Sequence, residues 1–275
     1  MLRYLVVLSR PRFWLYLAGP VLVGAVYGAP RPDAVTSLPV ALLFGYFLVP
    51  ANGYLYGIND RFDRDTDRHN PKKEGREARY RERWPVTLVV VASGVLLLPV
   101  AAALPRITWG YLGGWIVLAT AYSVPPARLK ARPLLDSLSN GLYVLPGMAA
   151  YAALAGQHPT LAAVLGAWTW SMAMHTFSAI PDVEADRAAG VATTATWLGP
   201  RGALWYCGVM WAGAAVGFGL VDWRLGAVMA AYPLLLSAVG RARVSIDRAY
   251  WWFPAVNTAL GGVMTLGGLW RLVHG

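Results

Sequence analysis

The 275-residue chain has a single cysteine, Cys207. That excludes an intrachain disulfide and a metal–thiolate cluster. Cys207 falls in an apolar run and is expected to act as a small buried apolar side chain. Charge is also scarce: Asp, Glu, Lys and Arg make up 14% of the residues and hydrophobic types 57%. Mean hydropathy is positive. Such a composition excludes an ordinary water-soluble domain and fits a chain immersed in lipid. Acidic residues are the rarer sign, 14 against 24 Lys and Arg, for a net charge of +10. Nucleic acid is a poor partner because no soluble domain exists to bind it. Anionic lipid headgroups or a phosphate-bearing substrate suit the charge better. No signal peptide is expected, since the first apolar segment lacks a small-residue cleavage site followed by a soluble domain.

What the chain has in quantity is apolar runs. A bilayer span needs about 20 apolar residues, and nine runs qualify: 13–29, 38–58, 85–104, 108–124, 136–155, 160–181, 202–220, 223–240 and 250–273. The expected fold class is therefore an all-α integral membrane protein of nine transmembrane helices, a single polytopic domain over 1–275. Twenty of the 24 basic residues fall on the side that holds the N-terminus and the loops after the second, fourth, sixth and eighth runs. The positive-inside rule makes that side cytoplasmic. A prokaryotic cell membrane is the expected location, with cytoplasmic caps at about 59–84, 125–135 and 182–201. Within the first cap, 75–84 reads as a short helix on the membrane surface or over the site. Gly24 and Gly28 form a G-x-x-x-G, read as a close helix contact.

The scarce acids are not scattered. "NDRFDRDTDRHNPKK" (59–73) holds four aspartates among six basic residues, His69 included, directly after the second run. Asn59, Asp63 and Asp67 are spaced four apart, so on a continued helix they share a face. Asp60 lies near that stripe, as do Asn52 and Tyr56 upstream. A second cluster, "IPDVEADRAAG" (180–190), ends the sixth run. It carries Asp182 and Asp186, again four apart, with Ser178 and His175 projecting back on the same face. Both clusters exit on the cytoplasmic side, which suggests two similar four-helix units and a ninth helix. Facing carboxylates are what a hard divalent cation requires. Mg²⁺ takes oxygen ligands, keeps waters and is often completed by substrate phosphates. A diphosphate held in this way becomes a good leaving group. Basic partners are available at Lys72, Lys73, Arg128 and Lys130.

Two competing readings are weaker. Solvated ion pairs would explain one acidic cluster but not two, each closing a span on the same side. A transporter would place its charges nearer the midplane on broken helices, often with inverted repeats.

In the residues just quoted, the sequence resembles the UbiA-type intramembrane prenyltransferases. The 59–73 segment resembles the family's first aspartate-rich motif, and "DVEAD" (182–186) its second. "AYSVPPARLKARPLLD" (121–136) is similar to the segment after its fourth helix, and "SRPRFW" (9–14) to its approach to the first. The resemblance implies nine helices in a bundle around a central cavity open laterally to lipid. An isoprenyl diphosphate donor would be held by Mg²⁺ between the two motifs. It further implies that Asn59, Asp60, Asp63, Asp67, Asp182 and Asp186 bind metal, the last two with Asp63 and Asp67 being catalytic. Lys72, Arg128, Lys130 and Tyr122 would bind the donor diphosphate or line its pocket. Asn52, Tyr56, His175 and Ser178 are possible cavity-lining residues.

The wording of 179–199 and 130–143 is most similar to the lycopene elongase branch, which adds a five-carbon unit to the end of a long polyene. The lipophilic acceptor would then enter from the bilayer. A quinone precursor, homogentisate or chlorophyllide-type acceptor is the alternative, and such a molecule would want a polar anchor. His175 is the candidate for that anchor, unless it is a hydrogen-bonded structural histidine.

Overall fold

The computed structural model describes residues 2–63, 83–242 and 244–275. They form helices and 3-10 turns, with no strand among the described residues. Among the described residues, fourteen α-helices run in order: α1 Leu2–Leu8, α2 Trp14–Gly28, α3 Leu38–Leu48, α4 Pro50–Phe62, α5 Arg83–Ala102, α6 Trp109–Ser123, α7 Leu135–Leu138, α8 Leu145–Ala155, α9 Leu161–Ala179, α10 Val183–Ala188, α11 Thr194–Gly219, α12 Trp223–Met229, α13 Ala231–Arg241 and α14 Ile246–His274. They cluster into two compact units. One holds Met1–Arg128, Leu145–His158 and Leu272–Gly275; the other holds Leu129–Val144 and Pro159–Arg271.

In the first unit α2 packs on α8 and α3, and α4 packs on α5. The α2–α8 contact depends on glycine. A Cβ at Gly24 would overlap the carbonyl of Gly147, and one at Gly28 would meet the main chain of Tyr151 at 2.6 Å. The G-x-x-x-G is thus a close helix contact, as expected. It also corrects the expected grouping. The fifth apolar run contributes α8 to the first unit, because α8 is docked backbone to backbone on α2. Its start is not a regular helix either: α7 and the 3-10 turn Ser139–Tyr143 precede α8.

The second apolar run is broken between α3 and α4 at Val49 (φ −123°, ψ −60°). Pro50 has no N–H to continue the ladder and disfavours the helical region for the residue before it. Asn52 mends the break, its Nδ2 donating to the carbonyls of Phe47 at 2.9 Å and Leu48 at 3.0 Å. Around it Tyr46, Phe47, Tyr54 and Trp115 make edge-to-face and tilted ring contacts. On α5, Leu88, Val91, Val95 and Leu98 recur at helical spacing, and each is more than half exposed. An outward stripe of this kind is a lipid-facing surface rather than a solvated one.

In the second unit α9 and α11 approach until a Cβ on Gly217 would lie 2.7 Å from the Gly166 Cα. Trp211 stacks with Tyr232 and Phe253, and Phe177 packs on Phe253 at 4.4 Å. The cap expected at 182–201 is largely helical, because Thr193 and Thr196 form a capping box that starts α11 eight residues before the expected span. Gly199 (φ 69°) then kinks it before Pro200. Among the described residues, three stretches are long and apolar enough to cross a membrane: Leu38–Phe62, Trp84–Ala102 and Trp223–Arg241. Helices α2, α6 and α8 have 15, 15 and 11 residues, shorter than a typical span.

Candidate active site

The first acidic motif grows out of the last turn of α4. Asp63 closes that helix, its N–H donating to the Asn59 carbonyl at 3.0 Å. The helical ladder expected through Asp67 therefore stops at Asp63 among the described residues. Asp67 and Lys72 lie outside them, as does nearly all of the expected surface helix at 75–84.

Each described side chain of this motif has a defined neighbour. Asn59 Oδ1 accepts from the Ser123 hydroxyl at 3.1 Å, which ties α4 to the end of α6. Asp60 is 1% exposed and its Oδ1 is 3.1 Å from Arg10 Nη2. The same guanidinium lies 4.6 Å above the ring of Tyr56, so Tyr56 helps to seat Arg10. Asp63 Oδ1 is 3.6 Å from Arg128 Nη2. Arg128 takes a left-handed backbone angle (φ 38°). Its Nε is buried and finds no acceptor among the described residues. A buried guanidinium N–H without an acceptor suits an incoming anion. Tyr122 is half-buried in the last turn of α6, one residue before Ser123. Asn52 is fully buried and its amide donors are used on the α3–α4 break.

The second motif lies wholly in the other unit. Asp182 ends a 3-10 turn, Ile180–Asp182, and opens α10; Asp186 sits one turn later, and both are half-buried. Glu184 between them is exposed. The loop after Asp186 is held by Val191 N–H to the Asp186 carbonyl at 2.8 Å and by Arg187 to the Thr196 carbonyl at 2.7 Å. Lys130 is half-buried in the 3-10 turn Leu129–Ala131. The Ser178 hydroxyl donates to the His175 carbonyl at 2.7 Å. His175 Nε2 lies 3.4 Å from the fully buried carboxylate of Asp136.

The described candidate donors, Asn59, Asp60, Asp63, Asp182 and Asp186, offer side-chain oxygens, with Asn59/Asp63 and Asp182/Asp186 each one helical turn apart. That set fits Mg²⁺, which uses one or two carboxylates together with water and phosphate oxygens. No group of three His, Cys, Asp or Glu side chains comes together as a metal cage among the described residues. A dedicated all-protein site is not what Mg²⁺ requires.

Four neighbours of the site lie in the family-like segments but had no role assigned from the sequence: Arg10, Ser123, Asp136 and Thr194. Arg10 and Asp60 are fifty residues apart, and Ser123 and Asn59 sixty-four, so no local spacing joins them. Asp136 alone carried a signal, as a lone acid at the edge of an apolar run.

Residues 17–261 match the UbiA prenyltransferase family. The chain belongs to that family. As a UbiA prenyltransferase it has full-length relatives. It is 61% identical over 275 residues to a lycopene elongase/hydratase of Halobacterium salinarum, covering 100% of both chains. It is 57% identical over 272 residues to a lycopene elongase/hydratase of Haloferax volcanii, covering 99% of this chain and 90% of that one. The expected resemblance to the lycopene elongase branch is borne out by these relatives. In fold, the UbiA homologue of Archaeoglobus fulgidus bound to dimethylallyl diphosphate and Mg²⁺ superposes with a TM-score of 0.77 at 22% identity, over 97% of this chain and 99% of that one.

Proposed function

We propose that this prenyltransferase transfers a five-carbon isoprenyl group from dimethylallyl diphosphate to the end of a lycopene-type carotenoid. The observation that carries this reading is the similarity, over 99–100% of this chain, to two lycopene elongase/hydratases. The donor and metal follow the Archaeoglobus homologue, whose bound molecules are dimethylallyl diphosphate and Mg²⁺.

Asn59, Asp63 and Asp67 would form one Mg²⁺ site, with Asp60 in the same motif oriented by Arg10, and Asp182 and Asp186 would form a second. Bound there, the metal would neutralise the charge of the departing diphosphate. Lys72, Arg128 and Lys130 bind its oxygens, and Tyr122 lines the donor pocket. The donor's carbon–oxygen bond breaks to give an allylic cation, which the terminal double bond of the polyene attacks. A polyene end is a weak nucleophile, so the apolar interior must keep water from the cation until the new bond forms. The resulting tertiary cation loses a proton or takes up water. An acceptor with no ionisable group needs no cationic anchor. That agrees with His175 sitting beside Asp136 at an ion-pair distance.

The chain works as a single nine-span domain in the cell membrane, with a laterally open cavity and with its N-terminus and acidic motifs cytoplasmic. The test is incubation of purified protein with labelled prenyl diphosphates and a panel of acceptors, with products identified by mass spectrometry. Consumption of an aromatic or chlorophyllide-type acceptor in place of lycopene would overturn the acceptor assignment.

A further inference from the structure

We propose that Asp136 and Thr194 are positioning residues for the prenyl diphosphate. They clamp the segment that carries Lys130 to the second acidic motif, within the second unit. The inference rests on the proposed donor chemistry and assigns work to an acid that the reading of the two motifs left unused.

Asp136 is 0% exposed. A carboxylate buried this completely is costly unless its oxygens are occupied. Thr194 supplies two donors: its main-chain N–H reaches Oδ2 at 2.9 Å and its hydroxyl donates to Oδ1. The same hydroxyl accepts the N–H of Leu134 at 2.7 Å. One threonine, itself 0% exposed, therefore grips residues 134 and 136 together. Between them the chain makes a strained turn, with Leu134 at φ 67° and ψ −39°. A left-handed conformation at a branched residue persists only where its surroundings over-determine it, and the Thr194 clamp does so. The Asp136 carbonyl adds a third hold, accepting from Ser139 at 3.0 Å and Asn140 at 2.7 Å.

The clamp is connected on both sides to groups assigned to the donor. Upstream, four residues before Leu134, is Lys130. Thr194 begins α11, whose capping box places Thr193 N–H 2.7 Å from the Thr196 hydroxyl. The Thr196 carbonyl takes Arg187, the residue after Asp186. From Oδ2, which also accepts the Thr194 N–H, His175 leads along α9 and the 3-10 turn after it to Asp182, seven residues on. Asp136 thus joins the Lys130 segment, the helix α9 that leads into the 3-10 turn ending at Asp182, and the helix that follows Asp186. Diphosphate binding needs cation and carboxylates fixed to about 0.5 Å. An apolar contact would hold these three elements without fixing direction, whereas a carboxylate with three polar neighbours fixes it.

The test uses the full-length protein in detergent with Mg²⁺. Affinity for the unreactive donor analogue dimethylallyl thiolodiphosphate is measured by calorimetry, alongside KM for dimethylallyl diphosphate and for lycopene. Thr194→Val keeps the shape and removes the hydroxyl, and Thr194→Ser restores it. The expected result for Thr194→Val is analogue affinity weakened about tenfold, as is typical of a lost buried hydrogen bond, and donor KM raised to match. Lycopene KM should stay within about twofold, and Thr194→Ser should recover most of the loss. Asp136→Asn should behave as Thr194→Val does, and it carries the test if Thr194→Val does not fold. Lower thermal stability with unchanged analogue affinity in these variants would overturn the proposal and leave the clamp a purely structural contact. A wild-type protein that binds the analogue but ignores lycopene would refute the acceptor reading alone, and the variants' affinities would still decide the positioning role.

Discussion

Removing the Arg10 guanidinium should destabilise the first acidic motif by an amount the geometry bounds. The guanidinium lies 3.1 Å from an Asp60 carboxylate that is 1% exposed, and is itself 18% exposed. At an effective dielectric of about 20, opposite charges at that distance attract by about 5 kcal/mol before desolvation is counted. Taking one partner from a buried pair typically costs about 3–5 kcal/mol. Arg10→Ala also loses the contact over Tyr56, worth about 0.5–2 kcal/mol. Asp60→Ala should cost less, about 2 kcal/mol, because the partly exposed Arg10 can turn toward water. For a chain of this size about 4 kcal/mol corresponds to a fall of roughly 10 °C in Tm. The assay is thermal unfolding in detergent for both single variants and the double variant. The double should fall by clearly less than the sum of the singles, since it leaves no stranded charge. Tm values within about 2 °C of wild type for Arg10→Ala, or strictly additive losses, would refute the pairing.

Asp63→Ala and Asp182→Ala should each abolish turnover, and EDTA should do the same until Mg²⁺ is restored; full activity in chelator would sink the metal reading. Gly24→Val should lower Tm by several degrees, an overpacking cost of about 1–3 kcal/mol or more, because its side chain meets the Gly147 carbonyl; an unchanged Tm would mean α2 and α8 are not in contact. Gly75→Cys in a Cys207→Ala background should label with an impermeant thiol reagent only from the cytoplasmic side, and labelling of intact cells from outside would reverse the orientation.

The sequence was most legible where physics acts locally. Apolar runs located most of the long helices, and four-residue spacing picked out the pairs Asn59/Asp63 and Asp182/Asp186. The G-x-x-x-G identified a real backbone contact, although its partner, α8, could not be read from α2 alone. Helix breaks were less visible. Pro50 and Pro200 were in plain view, but membrane helices often tolerate proline, so composition alone did not say that the chain would bend at both. Long-range polar ties were not legible at all. Arg10 reads as one more basic residue of a cytoplasmic collar until the fold brings it to Asp60. Thr194 reads as part of a loop until its hydroxyl is found on Asp136. His175 had two readings, and its place 3.4 Å from Asp136 was visible to neither.

The most direct test of the central claim is expression of the protein in a lycopene-producing host, with the carotenoids analysed by mass. Lycopene should be converted to products heavier by one or two five-carbon units, with or without added water, and dimethylallyl diphosphate should be preferred over long-chain donors in the purified reaction. Unchanged lycopene in the host, together with no consumption of any prenyl diphosphate by the purified protein in Mg²⁺, would contradict the account.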